Sequence, residues 1–206
     1  ALLAVREQFV SQNVAHKNAL QALQRKVIRT SFAEQAYLHL IEQLKKQIRA
    51  IDTEVRRLIE SDPTFKEMLL LLLSVPGVGL LLASHFILLA QFSLEYKLLA
   101  SFLGIAPHEH SSGTSVYKPA TSRHFGPPAI RKLLYLAACS VCTHRPQFRT
   151  YLARKTQQGK PARLVLNNVE NKLIRIMCAV LSSKTAFIES YHSVQPLALQ
   201  KALTVS

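Results

Sequence analysis

The chain has 206 residues, 49% of them hydrophobic, with 26 Lys/Arg against 12 Asp/Glu and a formal net charge of +14. That hydrophobic content excludes wholesale disorder, and the length allows one or two domains with a buried core. The charge is uneven, +3 over residues 1–67 and +11 over residues 68–206. The second part therefore suits a polyanion, most simply nucleic acid, with a solvated basic face as the plain alternative.

The sequence starts at Ala1 with a helical pattern already under way. No basic leader or small-residue cleavage site precedes it, which predicts no signal peptide and suggests a fragment of a longer protein. Residues 1–28 read as a helix in which Leu2, Val5, Phe9, Leu20, Leu23 and Val27 form a stripe interrupted by Gln12, Asn13 and His16. Thr30-Ser31 marks a break, with Ser31 as candidate N-cap and Glu34 three residues on. Tyr37, Ile41, Leu44, Ile48, Ile51, Val55 and Leu58 then alternate at spacings of 4 and 3. That is a coiled-coil seam, and it predicts a helical hairpin or an oligomeric coiled coil. Ser61-Asp62-Pro63 closes this region and caps the next helix.

From Pro63 onward the pattern predicts a small helical domain, with helices near 64–74, 80–91, 94–103, 128–143, 147–157 and 162–183. Gly104 suits a helix stop, Gly159 a break, and Pro127-Pro128 and Pro161 suit helix starts. No run alternates cleanly enough to predict a strand. The expected fold class is all-α. A helical hairpin or coiled coil spans residues 1–61, a compact domain containing a helix-hairpin-helix spans 62–183, and a tail spans 184–206. Met68 to Ala90 carries no formal charge over 23 positions, long enough to cross a bilayer. Ser74-Val75-Pro76-Gly77-Val78-Gly79 breaks it midway, so a buried helix–turn–helix and no membrane partner are expected.

Three segments carry candidate chemistry. Gly77 and Gly79 sit in a tight turn whose free amides, at the next helix's N-terminus, suit a phosphate; the alternative is a turn that only packs helices. Lys118, Arg123, His124, Arg131 and Lys132 form a basic string. Arg131 and Lys132 fall in a helix's first turn, where positive charge opposes the dipole and an anionic ligand would offset the cost. Arg154, Lys155, Lys160 and Arg163 form a second basic cluster. Between Gly104 and Pro127 runs a long polar loop containing Pro107-His108-Glu109-His110-Ser111-Ser112-Gly113. Ser112, with Gly113 beside it, is the candidate nucleophile, and His108, Glu109 and His110 stand near in sequence to assist; on spacing alone the plain alternative for a Ser-Ser-Gly loop is a turn.

Other chemistries fare worse. The hydrolase elbow G-x-S-x-G is absent, and the only aspartates, Asp52 and Asp62, lie in the helical N-terminal part. After Glu67 only Glu95, Glu109, Glu170 and Glu189 remain, on separate segments, too scattered for a two-metal nuclease site. No metal or other cofactor is expected in this chain. Cys139 and Cys142 have C-x-x-C spacing near His144, but no second ligand pair follows. Core packing is the expected role of these cysteines and of Cys178.

Several motifs in order resemble the C-terminal part of insertion sequence 110 family transposases, the class that includes the Piv-type DNA invertases. They are Leu73-Ser74-Val75-Pro76-Gly77-Val78-Gly79, Phe102-Leu103-Gly104-Ile105-Ala106-Pro107 and His110-Ser111-Ser112-Gly113. Gly126 with Ile130-Arg131-Lys132-Leu133-Leu134-Tyr135, and Gly159-Lys160-Pro161 through Ile174, complete the match over about residues 62–183. The preceding helices look like the family's coiled-coil linker. The resemblance implies a recombinase whose N-terminal RuvC-like domain, absent here, binds divalent metal such as Mg through four acidic residues. It implies a serine in a Pro-x4-Ser-Gly motif, matching Ser112, that attacks DNA and forms a covalent serine–DNA intermediate. It also implies DNA and a structured guide (bridge) RNA as partners, oligomerisation through the coiled coil, and a cytoplasmic, nucleoid-associated location. The family's Lys/Arg- and Gly-rich run after Ser-Gly reads here Thr114-Ser115-Val116-Tyr117-Lys118-Pro119-Ala120-Thr121, and His124 replaces a frequent Lys. Two rivals stand beside this reading: a non-catalytic helix-hairpin-helix DNA- or RNA-binding module, and a structural coiled-coil oligomerisation protein.

Overall fold

The computed structural model describes residues 1–26, 30–112, 116–122 and 126–189. Among them are eight helices and one two-stranded ribbon, so the all-α architecture expected from the periodicity holds for the body of the molecule. Helix α1 (Leu2–Gln24) and helix α2 (Ser31–Glu60) fold into a hairpin. Arg6 near the start of α1 pairs with Asp52 near the end of α2, Nε to Oδ1 at 2.5 Å and Nη2 to Oδ2 at 3.2 Å, so the helices run antiparallel. The heptad seam is used in part inside the chain: Ile41 and Val55 are buried and the Tyr37 ring lies 5.9 Å from that of His16 on α1, while Leu58 stays 45% exposed. Asn13, read as an interruption of the α1 stripe, is itself buried.

The predicted capping box at Ser31 does not form. Thr30 is the N-cap, with extended backbone, and Ser31 is already helical. Ala33 and Glu34 donate their amides to the Thr30 carbonyl, which starts the helix one residue early and leaves Glu34 out of register for a reciprocal bond. Asp62 does cap as expected. Its Oδ1 accepts from Thr64 N at 2.8 Å and Phe65 N at 3.1 Å, with Pro63 in the first turn.

The apolar run 68–90 becomes the centre of the body. Helices α3 (Pro63–Leu73) and α4 (Leu80–Ala90) flank the predicted turn. Leu69, Leu72, Leu82, Ala83, Phe86 and Ile87 are buried, and Ser84 hides its hydroxyl by donating to Leu80 O at 2.7 Å. Among the described residues no helix is long and apolar enough to cross a membrane. Helix α5 (Tyr96–Phe102) ends where Gly104 takes φ +67°, and the amides of Ile105 and Ala106 return to Ala100 O. Helices α6 (Pro128–His144), α7 (Pro146–Gln157) and α8 (Ala162–Ser183) complete the body. Gly159, φ +80°, makes the expected break before α8. The inner face of α8 (Val165, Val169, Leu173, Ile174, Met177) is fully buried, and α3, α5, α6 and α7 pack on that helix.

The segment expected to be a loop is a ribbon. Strands β1 (Pro107–Ser112) and β2 (Val116–Ser122) pair antiparallel, from Pro107↔Ser122 at the base to Ser112↔Val116 at the far end. The pairing jumps from His110↔Lys118 to His108↔Thr121, so Pro119 and Ala120 together oppose Glu109. Proline has no N–H for the ladder, and a bulge at that point lets pairing resume beyond it.

Candidate functional site: a serine-bearing ribbon on a basic helical body

Ser112 is the last paired residue of β1. Five strand steps from Pro107 put its backbone roughly 17 Å from the ribbon's base. Lys118 lies on β2, paired with His110. Gly113, Arg123 and His124 lie outside the described residues. Among the described residues β1 and β2 pack chiefly on each other.

Both roots of the ribbon meet the C-terminal end of α5. On the outgoing side Ile105 is buried, and its carbonyl accepts from Asn167 Nδ2 at 2.9 Å and Asn171 Nδ2 at 3.0 Å, both on α8. On the returning side Gly126 takes φ +84° and presses on the α5 end. A Cβ there would strike Phe102 O and come within 3.0 Å of Leu103 Cα.

Arg131, in the first turn of α6, sits half-buried close to this returning root. It acts on Glu170 of α8, which is only 6% exposed. Burial pushes the Glu170 carboxyl up to about 7, against the pull of Arg131 and then Arg163. A carboxyl raised this way is protonated in the folded chain between about pH 4.5 and 7, while the unfolded chain has released its proton. The folded state binds more protons over that window, so stability falls as pH rises through it. Glu170→Gln is therefore expected to stabilise the protein by roughly 1–3 kcal/mol at pH 8 and to flatten the slope between pH 4.5 and 7. Thermal melts across that range check it. An unchanged slope would show that Glu170 ionises freely.

Lys132 is exposed and bonded to Glu7 Oε1 at 2.9 Å, which ties α6 to α1. Gly77 takes φ +80°, and an added Cβ would meet Val141 Cγ1 at 2.7 Å and Ala137 O at 3.0 Å. It is thus the point where the α3–α4 turn lies against α6. That contact is roughly 9–15 Å along α6 from Arg131 at 1.5 Å per residue, so the turn and the ribbon root meet different ends of the helix. Gly79 is the N-cap of α4, extended at φ −101° with open space beside it. In the second basic cluster Arg154 is exposed, 5.9 Å from the Tyr151 ring centre, and Lys155 Nζ bonds Gln158 at 3.1 Å.

Two of the three cysteines pack in the core as expected, while Cys139 is half-buried. Cys142 and Cys178 are buried, and burial pushes the Cys178 thiol up to about 11. Among the described residues no three His, Cys, Asp or Glu side chains gather for a metal. Those residues do not by themselves fit a divalent-metal site.

Two contributions escaped the sequence reading: Glu170, which read as one scattered carboxylate, and the Asn167/Asn171 pair. The available signal was their 3- and 4-residue spacing, a polar strip set into the otherwise apolar α8.

The chain's similarities fall in the class of DNA-rearranging enzymes. Residues 69–153 match the family model described as "Transposase IS116/IS110/IS902 family". Over 196 residues the chain is 26% identical to the pilin gene-inverting proteins of Moraxella lacunata and Moraxella bovis, covering 93% of this chain and 59% of each relative. It is 29% identical over 148 residues to an insertion element IS110 protein of Streptomyces coelicolor, covering 70% of this chain and 35% of that one. A probable family 20 transposase of Pseudomonas aeruginosa is 27% identical over 157 residues, 72% of this chain and 46% of that one. The chain is thus similar to transposases of the IS110 family over part of its length and to gene-inverting proteins over most of it. The chain spans about 59% of the length of the pilin gene-inverting relatives.

Proposed function

We propose that this chain is part of a DNA transposase or site-specific recombinase and supplies Ser112 as the nucleophile for strand cleavage and exchange. The observation that supports it most is the ribbon, which carries Ser112 at its far end, away from a helical body rich in Lys and Arg. The reaction is phosphoryl transfer. Ser112 Oγ bonds to a DNA phosphorus as the bond from phosphorus to a deoxyribose oxygen breaks. The serine proton passes to a base in the site, and the leaving oxygen takes up a proton. The phosphodiester becomes a serine–DNA ester, so rejoining is the reverse attack by a strand hydroxyl. Lys118, Arg123 and Arg131 supply positive charge for the phosphate. Gly77, Gly79, Gly113, His124 and Lys132 are the further proposed nucleic-acid contacts, Gly79 at an open helix N-terminus in a helix-hairpin-helix.

Within this reading residues 1–61 are the coiled-coil segment, 62–183 the transposase domain and 184–206 a tail. The α1–α2 hairpin joins copies of the protein, and a guide RNA directs it to DNA at the nucleoid. Divalent metal is held by residues other than those described.

The test is a suicide duplex carrying a nick beside the cleavage point at an end of the protein's own element. An SDS-resistant protein–DNA adduct is expected, together with affinity that falls steeply with salt as phosphate contacts demand. Salt-sensitive binding with no adduct at any duplex end would sink the nucleophile and leave a non-catalytic binding module.

A further inference from the structure

The base of the ribbon carries more polar anchoring than packing requires. Asn167 and Asn171 lie one helical turn apart on α8, and both donate to the same acceptor, Ile105 O, at 2.9 and 3.0 Å. Asn171 Nδ2 also reaches Asn167 O at 3.0 Å. An amide nitrogen has two N–H bonds and a carbonyl two lone pairs, so Asn171 uses both donors and Ile105 both acceptor sites. The Ile105 amide is held as well, on Ala100 O at 3.0 Å. Ile105 is thus bonded on both sides of its residue, two positions before β1 begins. Asparagine is a poor helix former, and helix stability gives no reason for two of them on this face.

Direction is the property such anchoring controls. The ribbon leaves the body through Ile105 and returns through Gly126, and Ser112 stands roughly 17 Å from its base. A 10° swing at the root moves the far end by about 3 Å, and displacements of 1 Å at a reacting atom already cost about 100-fold in rate. We propose that Asn167 and Asn171 are positioning residues: a two-amide clamp on the Ile105 carbonyl that sets the aim of the Ser112 ribbon. The proposal rests on Ser112 as nucleophile for its consequence in catalysis, but not for its physical readout.

Two variants test it in the full-length protein. Asn171→Leu keeps the branched heavy-atom skeleton and removes both donors; Asn171→Asp keeps the shape and replaces the donor nitrogen with an acceptor. Hydrogen exchange of the amides in 107–112 and 116–122 is expected to quicken about tenfold in both, as loss of two hydrogen bonds implies. Amides of α6 and α8 should keep their wild-type protection. On the suicide duplex, adduct formation at saturating DNA should slow about 100-fold with the dissociation constant unchanged. Wild-type ribbon exchange in either folded variant overturns the clamp, since a pure packing role would survive both changes. So does faster exchange with an unchanged rate of adduct formation. Absence of an adduct in the wild type is a separate outcome. It removes the nucleophile reading, and ribbon exchange alone then decides whether the clamp holds.

Discussion

Ser112→Ala is expected to abolish the covalent protein–DNA adduct and strand exchange while leaving DNA affinity within about twofold. The size of the effect follows from the chemistry. Removing a nucleophile removes the bond-forming atom itself, and losses on the order of 10⁴-fold or more accompany such deletions. The retained affinity follows from the division of labour in the structure. On that reading phosphate attraction would come from the excess of 15 Lys/Arg over 4 Asp/Glu after residue 67, and a single neutral hydroxyl adds little to a counterion-driven equilibrium. Gel shift and adduct trapping on the same preparation give the two readouts. Normal recombination by the alanine variant would move the nucleophile to another residue, with the neighbouring Ser111 the first to examine. Loss of binding together with chemistry would instead make the hydroxyl part of the DNA contact.

Gly126→Ala is expected to cost about 3 kcal/mol or more and to disturb the ribbon along with the fold. Two costs combine there. The backbone sits at φ +84°, which a Cβ makes unfavourable by about 1–2 kcal/mol. The new methyl would also run into the Phe102 carbonyl and Leu103 Cα, and backbone cannot swing aside as a flexible side chain can. Gly159→Ala makes the natural control. It has nearly the same φ, +80°, but open space around it, so only the conformational cost applies. Chemical denaturation of both variants separates the terms. Equal losses would mean that the close approach at Gly126 carries no weight.

The helical body was legible because its signals are local. Pro63, Pro128 and Pro161 mark helix starts, Gly104 and Gly159 mark stops, and between them apolar residues recur at helical spacing. The heptad seam on α2 announced a partner helix but left open whether that partner was in the same chain; the Arg6–Asp52 pair resolves the hairpin, across 46 residues. The ribbon was not legible. Its two strands, PHEHSS and VYKPATS, show no clean apolar–polar alternation in sequence, and Pro119 falls at the break in their pairing. The site divides the same way. Positive charge and the Ser-Gly motif are visible in any reading of the residues. The burial of Glu170 and the contact of Gly77 with Val141 are set by tertiary approach, so a list of residue types holds no trace of them. Asn167 and Asn171 could have been flagged by spacing alone, though not the carbonyl 62 and 66 residues away that they grip.

A ribbon whose described strands pack chiefly on each other has a reach that can be tuned independently of the body. Adding one residue pair to β1 and β2 would push the tip outward by about 3.4 Å and ask nothing of the helices below. Related proteins facing duplexes of different depth or bend thus have a cheap dimension in which to diverge: the length of an arm, with its shoulder left alone.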